Sequence, residues 1–397
     1  MREHLFLEEE NEAFYQGIEL LTQSTILLVG NLGPESGTGQ YTHSLFSQLK
    51  LLENNDTSFR MVSFYSPNIE KLFFGLAETG LTPFIPMHSG LSILSHIAHL
   101  LSLRGSFALF HITDGALGVV ARLKRPAVVT VHDIIPFLNL KRRASAITDL
   151  ATRQSLRNIV YADAIIVDSH HTKRELSKML NVNSARIKVV PMGVDHESFR
   201  PIEKTRSRTH FGLPPDKRIL LNVGSEEPRK NVPTLIRAFS KVARNLPDTI
   251  LIRVGARESK EVADLISSND LSDKVSYYKL SRRDMPYIYG AADAVILPSW
   301  YEGFGLPSLE AMACGCPVIA SDATSIPEVV GKAGILISPT DHNAFAAAIE
   351  NLLSSTNLQT DLVQSGLEQS KKFSWAMTAD KTFEVYRDVL SRSADDD

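Results

Sequence analysis

From one end of the chain to the other, short runs of aliphatic and β-branched residues alternate with longer stretches. In those stretches the apolar positions recur every three or four residues. TILLVG (25–30), LFHITDG (109–115), AVVTVHD (127–133), AIIVDS (164–169) and IKVVPMG (187–193) read as strands in the first half. RILLNVGS (218–225), TILIRVG (249–255), AVILPS (294–299) and PVIAS (317–321) are their counterparts in the second. Runs that are apolar at every position belong to parallel strands buried on both faces, which helices must cover. The pattern therefore predicts an α/β protein built as two doubly wound, Rossmann-like domains.

The segment DHESFRPIEKTRSRTHFGLPPDKR (195–218) is charged and proline-rich and lacks a periodic apolar face, so it is expected to be the joint. That places one domain at 1–194 and the other at 195–373. FSWAMTADKTFEVYRDVL (373–390) has helical spacing, and the polar SRSADDD after it is expected to fray. LSILSHIAHLLSL (91–103) reads as a buried or half-buried helix, too short and too rich in Ser and His to cross a bilayer.

Composition narrows the picture modestly. A length of 397 residues suits two domains rather than one core. A net charge of −3 gives no reason to expect nucleic acid as a partner. The acidic start MREHLFLEEENEAFYQ has no apolar core of a secretory signal, so a cytoplasmic protein is expected. Cys314 and Cys316 stand too close to pair with each other and read as packed thiols in a reducing compartment.

Ligands of open parallel sheets bind beyond the carboxyl ends of the strands, so the loops there are where chemistry is sought. One such loop is PSWYEGFGLPSLEAMACGCPV (298–318). Pro307 falls where a first helical turn begins, Leu309, Met312 and Ala313 follow at helical spacing, and Gly315 and Pro317 close the helix. Gly303 and Gly305 lack a Cβ, so their amides can approach a ligand, and the helix start adds free N–H groups suited to a phosphate. Glu310 lies in the first turn, where a carboxylate can accept both hydroxyls of a ribose diol, and Glu302 faces the ligand from the other side. Taken singly, Glu302 is better explained as a solvated loop residue and Glu310 as a charge at a helix start. The combination E-x-G-x-x-P-x-x-E favours a site.

The loop after RILLNVGS reads EEPRKNVPTLIRAF and puts Arg229 and Lys230 between a strand and a helix striped by Leu235, Ile236, Phe239 and Val242. Cations at a strand's carboxyl end suit a diphosphate, Arg as a fork and Lys as a point charge.

GSEEPRKN followed by YEGFGLPSLEAMACGCPVIAS resembles the retaining glycosyltransferases of family 4, which have the GT-B fold. The likeness is strongest from Leu220 to Ser338. It implies that Glu310 binds the nucleotide ribose and Glu302 the donor sugar. The amides around Phe304, Gly305 and Leu306 would take the sugar hydroxyls and distal phosphate. Arg229 and Lys230, beside Gly224, would stabilise the leaving diphosphate. It also implies that the C-terminal helix, about 374–397, crosses back onto the first domain. GPESGTGQYTHSLFSQL resembles the family's glycine-rich loop, with Gly37 on the acceptor side and Gly39 near the donor phosphates. These glycines stand too far past Gly30, and lack a third partner, for a dinucleotide fingerprint. His132, in VVTVHDIIP, matches the histidine beside the transferred sugar. Asp133 is expected to orient its loop. His111 and Asp114 are candidates for the acceptor cleft. One departure is Ser225, where some members carry an arginine.

The implied reaction moves a sugar from a nucleoside diphosphate to an acceptor hydroxyl with retention, through an oxocarbenium-like transition state. The main demand is stabilising charge on the leaving group. The only D-x-D lies at Asp395–Asp397 in the tail, so no metal and no other cofactor is expected. The wording of both motifs resembles the mannosyltransferase-like branch, which points to GDP-mannose, with a UDP-sugar as the alternative. Tyr277, Tyr278 and Lys279 either flank the base or lie in a strand. The expected acceptor is a glycan or lipid-linked glycan. KRRASAITDLATRQSLR (141–157) reads as a solvated amphipathic helix, with peripheral contact to an anionic membrane as the alternative. Two rival classes are a non-catalytic homologue that binds nucleotide sugars and supports a partner, and a nicotinamide-dependent oxidoreductase, which the glycine placement disfavours.

Overall fold

The protein is represented by a computed structural model that describes residues 25–30, 37–54, 56–63, 107–138, 146–255 and 259–395; the stretch 91–103 lies outside them. Twelve strands form among these residues. In the first half they are β1 (Thr25–Gly30), β2 (Ser58–Ser63), β3 (Leu109–Ile112), β4 (Ala127–Val131), β5 (Ala164–Val167) and β6 (Ile187–Val189). In the second they are β7 (Arg218–Val223), β8 (Thr249–Val254), β9 (Val275–Tyr278), β10 (Ala294–Leu297), β11 (Val318–Ser321) and β12 (Ile335–Ile337). Every pairing between them is parallel. The orders are β2-β1-β3-β4-β5-β6 and β12-β11-β10-β7-β8-β9, two doubly wound sheets as the apolar runs imply. All residues of β1, β3, β4, β5, β10 and β11 are buried, which is why their sequences show no alternation.

The second sheet reverses its winding between β7 and β10, so the loops following these two strands open side by side. They are the two motif-bearing loops. In the first sheet the reversal falls between β1 and β3, with β4 next to β3. Tyr277 and Tyr278 lie within β9.

The expected joint is shorter than its composition suggests. Lys204–His210 is a helix packed on the helix Met285–Ala291. No apolar stripe announces it because its inward residues are Ser207, fully buried, and Arg208, 6% exposed, which donates to the Pro215 carbonyl (2.6 Å) and to Asp293 (3.0 Å). The final helix, Trp375–Asp395, returns to the first half and lies against the helix Gly37–Lys50. Both cysteines are free and buried, and burial raises the pKa of each thiol. Among the described residues no helix is long and apolar enough to cross a membrane.

Candidate active site

After β7 the chain turns at Gly224, whose φ of 151° suits glycine and over which the stem of Lys230 lies. A short turn, Pro228–Lys230, then leads into the helix Val232–Asn245, on which Leu235, Ile236, Phe239 and Val242 are all buried. Asn231 locks the turn. It adopts a left-handed conformation (φ 54°), and its side-chain amide donates to the carbonyls of Pro298 (2.9 Å) and Pro339 (2.8 Å). Pro298 follows β10, so one asparagine ties the two loops together.

Those loops meet on Glu302. Lys230 Nζ is 2.7 Å from Oε1, Arg229 Nη1 is 3.1 Å from Oε2, and the Ser299 hydroxyl donates to Oε1 at 2.7 Å. Burial alone would raise the pKa of Glu302, but Lys230 and Arg229 outweigh it and hold the carboxyl below its usual range. Arg229 also donates from Nε to Glu227 (2.7 Å), and its pKa is raised against the pull of burial by the Glu302 charge. The two cations thus meet two carboxylates, Glu302 and Glu227, at the carboxyl end of the sheet.

The helix Leu306–Ala313 begins at Gly305, where φ is 107° and a side chain would be strained, with Pro307 in its first turn. Pro307 carries no N–H, and the Ser308 and Leu309 amides donate to the Gly305 carbonyl (3.0 and 3.4 Å), which leaves the Leu306 amide without an acceptor within the helix. Phe304 is buried and meets Phe373 edge-on, and Leu306 is partly buried. Glu310 sits 2% exposed within the helix. Its Oε1 accepts from Arg282 (2.5 Å) and its Oε2 from the Tyr289 hydroxyl (2.9 Å). Burial pushes its pKa up, and Arg282 and Tyr289 pull against that.

Gly303 differs from expectation. A Cβ there would lie 2.2 Å from the carbonyl oxygen of His132, so the missing side chain admits the other half of the molecule. The Gly303 carbonyl accepts from Ser169 (3.1 Å), and the Tyr301 hydroxyl donates to Glu175 (2.9 Å). The Glu328 carboxylate accepts the main-chain amides of His170 and His171, both at 2.7 Å. These bonds draw the helix His170–Leu180 onto the Glu302 loop and bring the two halves of the site together.

On that face His132 follows β4, as expected. Its Nδ1 is 2.7 Å from Asp168 and its Nε2 is 3.1 Å from the Thr113 carbonyl. Both partners only accept, so both ring nitrogens carry hydrogens and the ring is an imidazolium. Burial lowers its pKa, but the charge and hydrogen bond of Asp168, aided by Asp114 and Asp133, raise it to about 9. Asp114 caps the turn Gly115–Leu117 (2.8 Å to Ala116 N), and Asp133 caps its own loop (2.9 Å to Ile135 N).

Two expectations are corrected. His111 does not line a cleft. It lies inside β3, fully buried, with Nδ1 2.5 Å from the Tyr386 hydroxyl and Nε2 2.8 Å from Thr130 Oγ1. Burial, and then the charge of His132, lower its pKa to about 3, so it is a neutral core residue pinning the last helix to the first sheet. Gly37 and Gly39 belong to no loop. Both fall in the helix Gly37–Lys50, because the stripe of Tyr41, Leu45 and Leu49 carries the helix back across them. Gly39 is buried and Gly37 is exposed.

Sequence reading missed Asp168, Asn231, Arg282, Tyr289 and Glu328. The first three stand in loops after β5, β7 and β9, at strand carboxyl ends, and that position was the available signal. Tyr289 and Glu328, inside helices, gave none.

Comparison with known proteins agrees with this geometry. Residues 203–369 match the model of the glycosyl transferases group 1 family, and residues 62–198 match that of glycosyltransferase family 4. The O-antigen chain mannosyltransferase B of Escherichia coli is 31% identical over 272 residues, 67% of this chain and 71% of that protein. A D-inositol 3-phosphate glycosyltransferase of Mycobacterium marinum is 33% identical over 70% of this chain, which spans only 62% of that relative's length. Among solved structures, a sucrose-phosphate synthase from Thermosynechococcus elongatus superposes with a TM-score of 0.74 at 22% identity, covering 93% of this chain and all of that one. Anabaena HepE in complex with UDP and glucose gives 0.70 at 20% identity, covering 90% and 98%. These structural likenesses speak for the fold, which is GT-B. The chain belongs to the group 1, family 4 glycosyltransferases.

Proposed function

We propose that this protein transfers a hexose from a nucleoside diphosphate to a hydroxyl of a glycan or lipid-linked glycan, with retention and without a divalent metal. The observation that carries the reading is the meeting of the loops after β7 and β10 at the switch point, with Arg229 and Lys230 both on Glu302. When a diphosphate departs, these two cations and the Leu306 amide at the start of the helix Leu306–Ala313 stand ready for the developing charge. Their alignment is preformed, so little reorganisation is needed at the moment of bond cleavage. Glu310 takes the ribose and Glu302 the sugar. His132, as an imidazolium fixed by Asp168, adds positive charge at the facing edge of the site. Mannose is the favoured sugar, supported by the likeness to the O-antigen mannosyltransferase. A UDP-sugar is the alternative, since HepE was solved with UDP and glucose.

Thermal unfolding against GDP, UDP, ADP and NAD, with and without EDTA, tests the reading. A ligand at a hundred times its dissociation constant adds about 2.7 kcal/mol of stability. Stabilisation by GDP or UDP that survives EDTA and disappears in Glu310→Ala is the expected result. A response to NAD alone, or to no nucleotide, would overturn it.

A further inference from the structure

We infer that Arg282 is a positioning residue of the nucleotide site, holding Glu310 ionised and aimed so that its carboxylate can accept a ribose diol. The inference deepens, and rests on, the nucleoside diphosphate reading above.

Arg282 lies in the turn Arg282–Asp284, beyond the carboxyl end of β9, and neither motif-bearing loop contains it. Its guanidinium is held from three sides. It stacks 4.2 Å from the centroid of Phe199, a residue only 2% exposed in the segment joining the two sheets. It donates to Glu310 at 2.5 Å. It also donates to the side-chain oxygen of Gln40, on the helix Gly37–Lys50 of the other half, once that amide is oriented to suit the donor. The arginine side chain is 32% exposed while that of Glu310 is 3% exposed. The cation therefore stands at the mouth and the anion behind it.

A carboxylate offers about four lone-pair sites, two on each oxygen. Arg282 occupies one on Oε1 and the Tyr289 hydroxyl occupies one on Oε2. One site is left on each oxygen, which is the demand of two adjacent hydroxyls. The groups facing Glu310 are Arg282, Tyr289 from the helix Met285–Ala291, and Cys314, one turn further along its own helix. Of these only Arg282 carries a positive charge. Burial already favours the protonated carboxyl and keeps its pKa raised even with the arginine in place, so removing the arginine raises it further and favours the neutral acid. A neutral acid keeps a proton where a ribose hydroxyl needs a lone pair. An adjacent arginine holds a carboxylate down by about 1–3 pKa units, so its loss should move the ionisation of Glu310 to higher pH.

Calorimetric titration of GDP and UDP into wild type, Arg282→Met, Arg282→Lys and Glu310→Gln, each at pH 6.5 and pH 8.5, decides the point. Dividing each variant's Kd by the wild-type value at the same pH removes the titration of the nucleotide itself. For Arg282→Met the ratio should be about tenfold or more at pH 6.5 and shrink several-fold by pH 8.5, as Glu310 recovers its charge. Arg282→Lys, which keeps the charge but not the fork, should restore most of the affinity. Glu310→Gln should weaken binding by a ratio that does not move with pH. A pH-independent ratio near one for Arg282→Met would overturn the inference. So would tighter binding, because Arg282 would then be a stand-in that the ribose displaces. Failure of the wild type to bind either nucleotide would sink the underlying reading instead, and the inference with it. Matching melting temperatures for wild type and Arg282→Lys keep the result readable if Arg282→Met folds poorly.

Discussion

The two faces of the site solve the problem of buried charge in opposite ways. On the second sheet one carboxylate, Glu302, is shared by two cations that stand next to each other in sequence. On the first sheet one imidazolium, His132, is held by a single carboxylate from the neighbouring strand's loop, 36 residues away. The first arrangement, with Glu227 also on Arg229, sets two cations against two carboxylates where an incoming anion would arrive. The second is nearly neutral as a pair and serves to fix a ring. Strand adjacency makes both: the meeting of the loops after β7 and β10 supplies the chemistry, and that of the loops after β4 and β5 supplies the opposing wall.

The largest effect that would break this contrast concerns catalysis. Lys230→Ala should lower kcat by about 10²–10³ in a sugar-transfer assay, since one preorganised charge donor at the leaving group is lost. A change of less than threefold would move the chemistry away from the second sheet.

Stability against pH sharpens the contrast, because the two clusters fail at opposite ends. The folded pKa of Glu302 is depressed, so its contribution is present above the unfolded glutamate value and is lost as pH falls through the folded one. The folded pKa of His132 is raised from 6.5 to about 9, so its contribution is complete below pH 6.5 and is lost as pH rises through 9. Glu302→Gln should therefore flatten the acid side of a urea-unfolding profile and cost on the order of 3 kcal/mol at pH 7. His132→Gln should flatten the alkaline side alone. The same limb changing in both variants would show that the clusters are one coupled unit.

The smallest effect separates core from site within the first half. His111→Phe leaves the Tyr386 hydroxyl without this partner and Thr130 with Tyr41 alone (3.1 Å), and should cost about 1–3 kcal/mol, measured by chemical denaturation. The KM for a sugar acceptor should not change. A raised KM at unchanged stability would return His111 to the cleft.

Much of the architecture was legible because its signals are local. TILLVG matches β1 residue for residue, and the strands of both halves follow their apolar runs. Pro307 and the stripe of Leu309 and Met312 placed the helix that carries Glu310. The strands β2 and β12 were missed, and β9 was left open between a strand and residues flanking the base. SFRMVS mixes polar residues into a short run, and ILI is too brief to stand out.

By itself the sequence determined which segments become parallel strands, which loops carry charge at their carboxyl ends, and that Arg229, Lys230 and Glu302 belong to those loops and Glu310 to the helix that follows. Tertiary structure alone decided how those residues are used. Glu310 finds Arg282 across 28 residues, His132 finds Asp168, and Gly303 admits the His132 main chain. Strands covered on both faces lose the two-residue alternation that would reveal where a side chain points, so His111 could not be placed until the last helix closed over it. Partners such as these are set by sheet order and domain closure, and neither leaves a periodic trace along the chain.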